Sequence, residues 1–158
     1  MKLYFLRHAD ALLGDDDDKR PLSARGDKES KKVGKYLKRI GIEFDAAYSS
    51  PLVRAVETAE WVLGITNGQT RVKLKLADAL LNTASPRDFY QWLKTLSDAE
   101  HVLLVGHAPS LPEHLGRMLG VACTEAVQMP KAGLACVETE DHQTGVLKLF
   151  VSPKELGT

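Results

Sequence analysis

Short apolar runs alternate along this chain with longer stretches in which apolar residues return every three or four positions, the pattern of strands alternating with helices. Lys2 to Leu6 is an apolar run of strand length, and it ends in Arg7 and His8. A polar loop holds Asp15 to Asp18, Lys19, Arg20 and Pro21. Ser23 then stands in N-cap position ahead of Val33, Tyr36, Leu37 and Ile40, which recur as one helix face, and Gly41 supplies the stop. Ala46 to Ser49 reads as a second strand. After it, Ser50 is expected to cap a helix with Pro51 at its first position. Leu52, Ala55, Val56, Ala59, Val62 and Leu63 form the apolar face of that helix, and Gly64 and Asn67-Gly68 end it. Val72 to Leu76 alternates with lysines, as a half-exposed strand does. Ser85, Pro86 and Asp88 open a third helix whose face is Phe89, Trp92, Leu93 and Leu96. His101 to Val105 is a second apolar run and predicts a central strand, ended by Gly106 and His107. Ser110 and Glu113 have capping-box spacing before a fourth helix that turns Leu111, Leu115, Met118 and Leu119 inward. Leu134 to Glu138 and Val146 to Val151 are the last two strands, joined by a loop at Asp141 to Gly145.

This order implies an α/β fold with a mostly parallel sheet, and the short last connection allows an antiparallel hairpin at one edge. There is no internal repeat and no linker, so residues 1–158 are expected to form one domain. Hydrophobic residues make up 44% and charged residues 27%, an ordinary globular composition. Twenty-one basic residues balance twenty-one acidic ones. Such a balance gives no general pull toward nucleic acid or an anionic membrane, so any anion must be held by a local cluster of cations. The apolar start is too short for a signal-peptide core or a membrane span, and a soluble cytoplasmic protein, monomeric, is expected. Cys123 and Cys136 lie in apolar surroundings without CxxC spacing and are expected to be buried free thiols rather than a disulfide or a metal site. Trp61 and Trp92 fit helix core faces, while His101, His114 and His142 read as structural or surface residues.

Ligands of open α/β sheets bind outside the carboxyl ends of the strands. Arg7 and His8 fall there after the first strand, Ser49, Ser50 and Arg54 after the second, and Gly106 and His107 after the central one. Two histidines and two arginines thus reach one rim from three separate segments. Each alone would more often be a structural or solvated residue; their joint placement points to a site. Arginine forks match phosphate oxygens two at a time. Phosphoryl transfer needs an in-line nucleophile and charge stabilisation around the equatorial oxygens. A neutral imidazole, with an unperturbed pKa of roughly 6.5, is competent as that nucleophile at neutral pH.

Leu6-Arg7-His8-Ala9, Ser49-Ser50-Pro51-Leu52-Val53-Arg54-Ala55 and Val105-Gly106-His107 together resemble the signature of the histidine phosphatase, or phosphoglycerate mutase-like, superfamily. Arg7-His8-Ala9-Asp10 and Arg20-Pro21-Leu22-Ser23-x-x-Gly26, with the small size, are similar more narrowly to the SixA-type phosphohistidine phosphatases. The resemblance runs from Met1 to about Glu138, with Ala9 where the family usually has glycine. It implies a three-layer αβα sandwich and a phosphatase without metal or organic cofactor. It implies that His8 becomes phosphorylated while Arg7, Arg54 and a protonated His107 hold the phosphoryl group. The family's long insertion after the second motif, which often carries a proton donor, is missing. An alkyl phosphate leaves as an alkoxide and needs an acid, whereas phosphohistidine leaves as imidazole. A phosphohistidine of a signalling or phosphotransfer protein is therefore the expected substrate. A small phosphomonoester, or a non-catalytic phosphate-binding role, is the alternative; a mutase is disfavoured by the same missing insertion. Asp78 is the one carboxylate placed to act as an acid, its other reading being a helix cap or surface residue. Arg20 is a further candidate for the rim, or else a partner of the Asp run. Asp15 to Asp18 read as a solvated acidic loop rather than a cation site, and the loop is a candidate for selecting basic partners.

Overall fold

The computed structural model describes residues 1–68 and 72–157. Strands β1 (Lys2–Arg7) and β4 (His101–Gly106) are apolar on both sides because both faces of their sheet are covered. Alternation sends Tyr4, Leu6, Leu103 and Val105 to one face. Leu3, Phe5, Val102 and Leu104 go to the other. Helices α1 (Ala24–Arg39) and α2 (Val53–Thr66) close the first face with Val33, Leu37, Ala55 and Ala59. Helices α3 (Pro86–Thr95) and α4 (Ser110–Met118) close the second with Phe89, Leu93, Leu111 and Leu115. The result is the expected three-layer sandwich.

With β2 (Ala46–Ser49), β3 (Leu74–Leu76), β5 (Leu134–Glu138) and β6 (Val146–Val151), the sheet runs β3-β2-β4-β1-β5-β6. The first four strands in sequence pair in parallel, and β5 and β6 add the antiparallel edge. The register sets Arg7 beside Gly106 and Ser49 beside Val105, so the chain leaves β1, β2 and β4 at one rim. Backbone bonds continue past the strands: His8 N–H donates to Gly106 O at 3.0 Å, and Ser50 N–H to Val105 O at 3.0 Å.

The Arg20-to-Gly26 motif fastens α1 to the loop after β1. Ser23 caps the helix by accepting from Gly26 N–H, and its hydroxyl donates to Asp10 Oδ2 at 2.6 Å. A Cβ at Gly26 would stand 2.0 Å from the Asp10 carbonyl oxygen, so glycine is required for that approach.

Several local expectations change. Helix α2 starts at Val53 with Leu52 as its cap, not at Pro51, because the Ser50 hydroxyl is bonded to His107 instead. Helix α4 has Pro109 at its N-cap with no side-chain bond, so Ser110 and Glu113 form no capping box; the Ser110 N–H donates to Asn82 Oδ1 at 3.1 Å. Strand β3 begins at Leu74 rather than Val72. Cys136 is buried and free, but Cys123 is exposed, outside the regular elements and away from both core clusters. Trp61 and Trp92 pack at the margins of the two clusters rather than inside them. Among the described residues, no helix is long and apolar enough to cross a membrane.

Candidate active site

Arg7, His8, Arg54 and His107 line one cavity of about 220 Å³ at the rim where β1, β2 and β4 end. Arg7 closes β1, and His8 is the next residue. Arg54 comes from the first turn of α2, and His107 directly follows β4. The His8 and His107 rings lie 5.0 Å apart between centroids.

His8 is 8% exposed, and its Nδ1 lies 2.7 Å from the Ala9 carbonyl oxygen. A carbonyl can only accept, so Nδ1 carries the proton, and Nε2 of the neutral ring keeps its lone pair. Burial, with Arg54 and Arg7 nearby, lowers the His8 pKa from 6.5 to about 4. The ring is therefore neutral at pH 7.

His107 is 2% exposed, and its Nε2 lies 2.6 Å from Ser50 Oγ. Burial, His8 and Arg54 lower its pKa from 6.5 to about 3. In the free protein, where burial and the neighbouring cations are not offset by a phosphoryl dianion, His107 is thus neutral; the protonated His107 that the resemblance implies belongs to the phosphoryl-bound state. An arriving phosphoryl group acts in the opposite direction and favours the protonated ring.

Arg54 is 6% exposed, yet its head is engaged: Nη1 donates to Asp17 O at 2.7 Å and Nη2 to Asp17 Oδ2 at 3.2 Å. Arg7 Nη1 donates to Met129 O at 2.8 Å. Burial pulls the Arg7 pKa down from its usual value. Three buried nitrogens here, Arg7 Nε, Arg54 Nε and His107 Nδ1, have no hydrogen-bond partner among the described residues. Buried polar groups left so are costly, and three of them on side chains that line one cavity make an arrangement that suits an anion.

Of the other expected residues, Arg20 lines the cavity, with Nε donating to Asp17 Oδ1 at 3.0 Å. Asp78 does not line it: it is exposed, at the start of a single 3₁₀ turn, Asp78–Leu80. Two polar lining residues escaped the sequence reading, Asn82 and Lys131. Asn82 bridges the loop before α4, its Nδ2 donating to Ala108 O at 2.8 Å. Lys131 pairs with Asp10 Oδ1 at 2.8 Å. Both sit in irregular segments, where periodicity carries no signal. The Asp run is more than a solvated loop, because Asp17 joins Arg20 to Arg54. Among the described residues, no group of three or more His, Cys, Asp or Glu is placed to hold a metal ion.

Asp17 occupies the guanidinium of Arg54 that an anion would use. Asp17→Ala is expected to tighten inorganic phosphate binding about two- to five-fold, read by calorimetry at low salt. Unchanged or weaker binding would show that the contact does not compete.

Residues 3–83 match the family model described as histidine phosphatase superfamily (branch 1). An uncharacterised protein of Picosynechococcus sp. is 30% identical over 166 residues, covering 99% of each chain. Among solved structures, the protein histidine phosphatase SixA complexed with tungstate superposes with a TM-score of 0.90 at 22% identity, covering 99% of this chain and 100% of that one. A protein of Agrobacterium tumefaciens assigned as phosphohistidine phosphatase SixA gives 0.80 at 25% identity, covering 96% and 97%. The fold is shared with the alpha-ribazole phosphatase of Shigella flexneri (TM-score 0.74, 16% identity, 97% of each chain).

Proposed function

Because this chain belongs to the histidine phosphatase superfamily, branch 1, we propose that it dephosphorylates phosphohistidine on a protein through a phosphorylated His8. The proposed first step is attack of the His8 Nε2 lone pair on phosphorus. The P–N bond of the substrate breaks, and its electron pair leaves on the imidazole, which departs neutral when its other nitrogen carries a proton. Arg7 and Arg54 neutralise the equatorial oxygens, with His107 taking up positive charge as the dianion settles beside it. His8 Nδ1 keeps its proton, and its hydrogen bond to the Ala9 carbonyl oxygen holds the ring in place. Water then attacks phospho-His8, phosphate leaves, and neutral His8 returns.

The observation that carries the substrate class is that, among the described residues, no carboxylic acid lines the cavity. Asp17, the carboxylate bonded to Arg54, has its pKa lowered by that guanidinium and is ionised at neutral pH, so it has no proton to donate. An ester leaving group would need one, and imidazole does not. A small phosphomonoester is the second reading, favoured by the fold shared with an alpha-ribazole phosphatase.

The test is brief exposure to a histidine-phosphorylated carrier protein, with p-nitrophenyl phosphate as the ester control, followed by mass spectrometry. Rapid loss of the carrier's phosphate, slow ester hydrolysis and an acid-labile phosphate on His8 are expected. Fast ester hydrolysis with an untouched carrier would move the substrate to small phosphomonoesters. Absence of phosphate on His8 from either donor would leave a binding protein.

A further inference from the structure

A second concavity, of about 690 Å³, adjoins the reaction pocket and shares Lys131 with it. Helix α1 lends it Arg25, Lys28 and Lys32, and the C-terminal turn lends Lys154. Three carboxylates also line it, Asp10, Glu29 and Glu155, and each is already engaged. Asp10 pairs with Lys131 at 2.8 Å. Glu29 accepts from Asp10 N–H at 2.9 Å and faces Arg25 at 3.7 Å. Glu155 accepts from the Ser152 N–H at 3.1 Å and from the Ser152 hydroxyl. Lys28, Lys32 and Lys154 have no carboxylate partner among the described residues.

We infer that this basic groove binds an acidic segment of the phosphorylated protein, beside the phosphorylated side chain; the inference rests on the protein-phosphohistidine reading above. Most cationic helix faces merely meet water. Here the cations of two distant segments converge on one concavity, in a chain whose net charge is zero. Their mutual repulsion is relieved by an anionic occupant. Lys131 links the groove to the pocket, so a segment lying in it would carry a neighbouring phosphorylated side chain toward His8. A nucleic acid fits less well, because among the described residues no aromatic side chain lines the groove to stack a base.

The test compares two synthetic phosphohistidine peptides, one with glutamates flanking the phosphorylated residue and one with glutamines there. The protein is expected to prefer the glutamate peptide by about tenfold in kcat/KM at low salt, and added salt should shrink the preference. The triple variant K28E/K32E/K154E should lose the preference while hydrolysing phosphoramidate, a small P–N donor, at an unchanged rate. Phosphoramidate turnover also certifies that the variant is folded. Equal use of both peptides by the unaltered protein, or a preference that survives in the variant, would overturn the inference. So would a single-stranded oligonucleotide that binds the groove more tightly than the glutamate peptide. Failure of the underlying reading looks different: neither peptide is consumed while p-nitrophenyl phosphate is.

Discussion

His8→Asn is expected to lower kcat/KM by roughly 10⁴–10⁶-fold on any phosphorylated donor, while inorganic phosphate binding changes only a few-fold. The nucleophile forms the bond between protein and phosphoryl group in the proposed reaction, and no other described residue of the cavity is placed to replace it. His107 is the other imidazole, but its Nε2 is bonded to Ser50 and its Nδ1 is buried. Asparagine keeps an amide donor for the Ala9 carbonyl and leaves Arg7 and Arg54 in place, so the anion site survives. Steady-state kinetics and phosphate calorimetry on the same preparation separate the two effects. A variant that retains turnover would remove His8 as nucleophile. A native protein without turnover that binds phosphate as well as the variant does would favour the non-catalytic alternative.

The fold is also expected to lose stability steeply on mild acidification. His114 is 1% exposed, stacked on Phe89 with ring centroids 4.1 Å apart, and neither ring nitrogen has a partner among the described residues. Burial, with Arg117 nearby, lowers its pKa from 6.5 to about 4. His8 and His107 are lowered likewise, to about 4 and about 3. The unfolded chain takes up protons as pH falls through 6.5, whereas the folded protein refuses them until about 4. Between those values the unfolded state binds more protons, so stability falls as pH falls, and it is flat above the window. At pH 5 each of these histidines costs about 2 kcal/mol, from about 1.4 kcal/mol per pH unit. Three such contributions rival the 5–15 kcal/mol that holds a typical domain. Denaturant unfolding at pH 7 and pH 5, without phosphate, measures the loss. His114→Leu should remove about 2 kcal/mol of it without lowering stability at pH 7. Equal stability at both pH values, or an unchanged slope in the variant, would refute this account. Added phosphate should flatten the dependence, because an anion in the pocket favours protonated His107.

The sequence alone was enough for the elements and for the principal side chains at the rim. Val33, Leu37, Ala55, Ala59, Leu111 and Leu115 lie where periodicity puts them, because a helix or strand repeats on a scale of a few residues. Arg7, His8, Arg54 and His107 could be placed together because strand ends and helix starts are local signals, and strands of a parallel sheet end at one rim. Other features depend on residues far apart in the chain, and only the tertiary structure decided them. The Ser50 hydroxyl bonds His107 rather than capping a helix, Asp17 takes the head of Arg54, and Asn82 and Lys131 complete the pocket wall. The neutral state of His107 likewise follows from burial among cations drawn from β1 and α2. Hydrogen-bond partners and protonation states are set by the whole packed environment, which no local window of sequence contains.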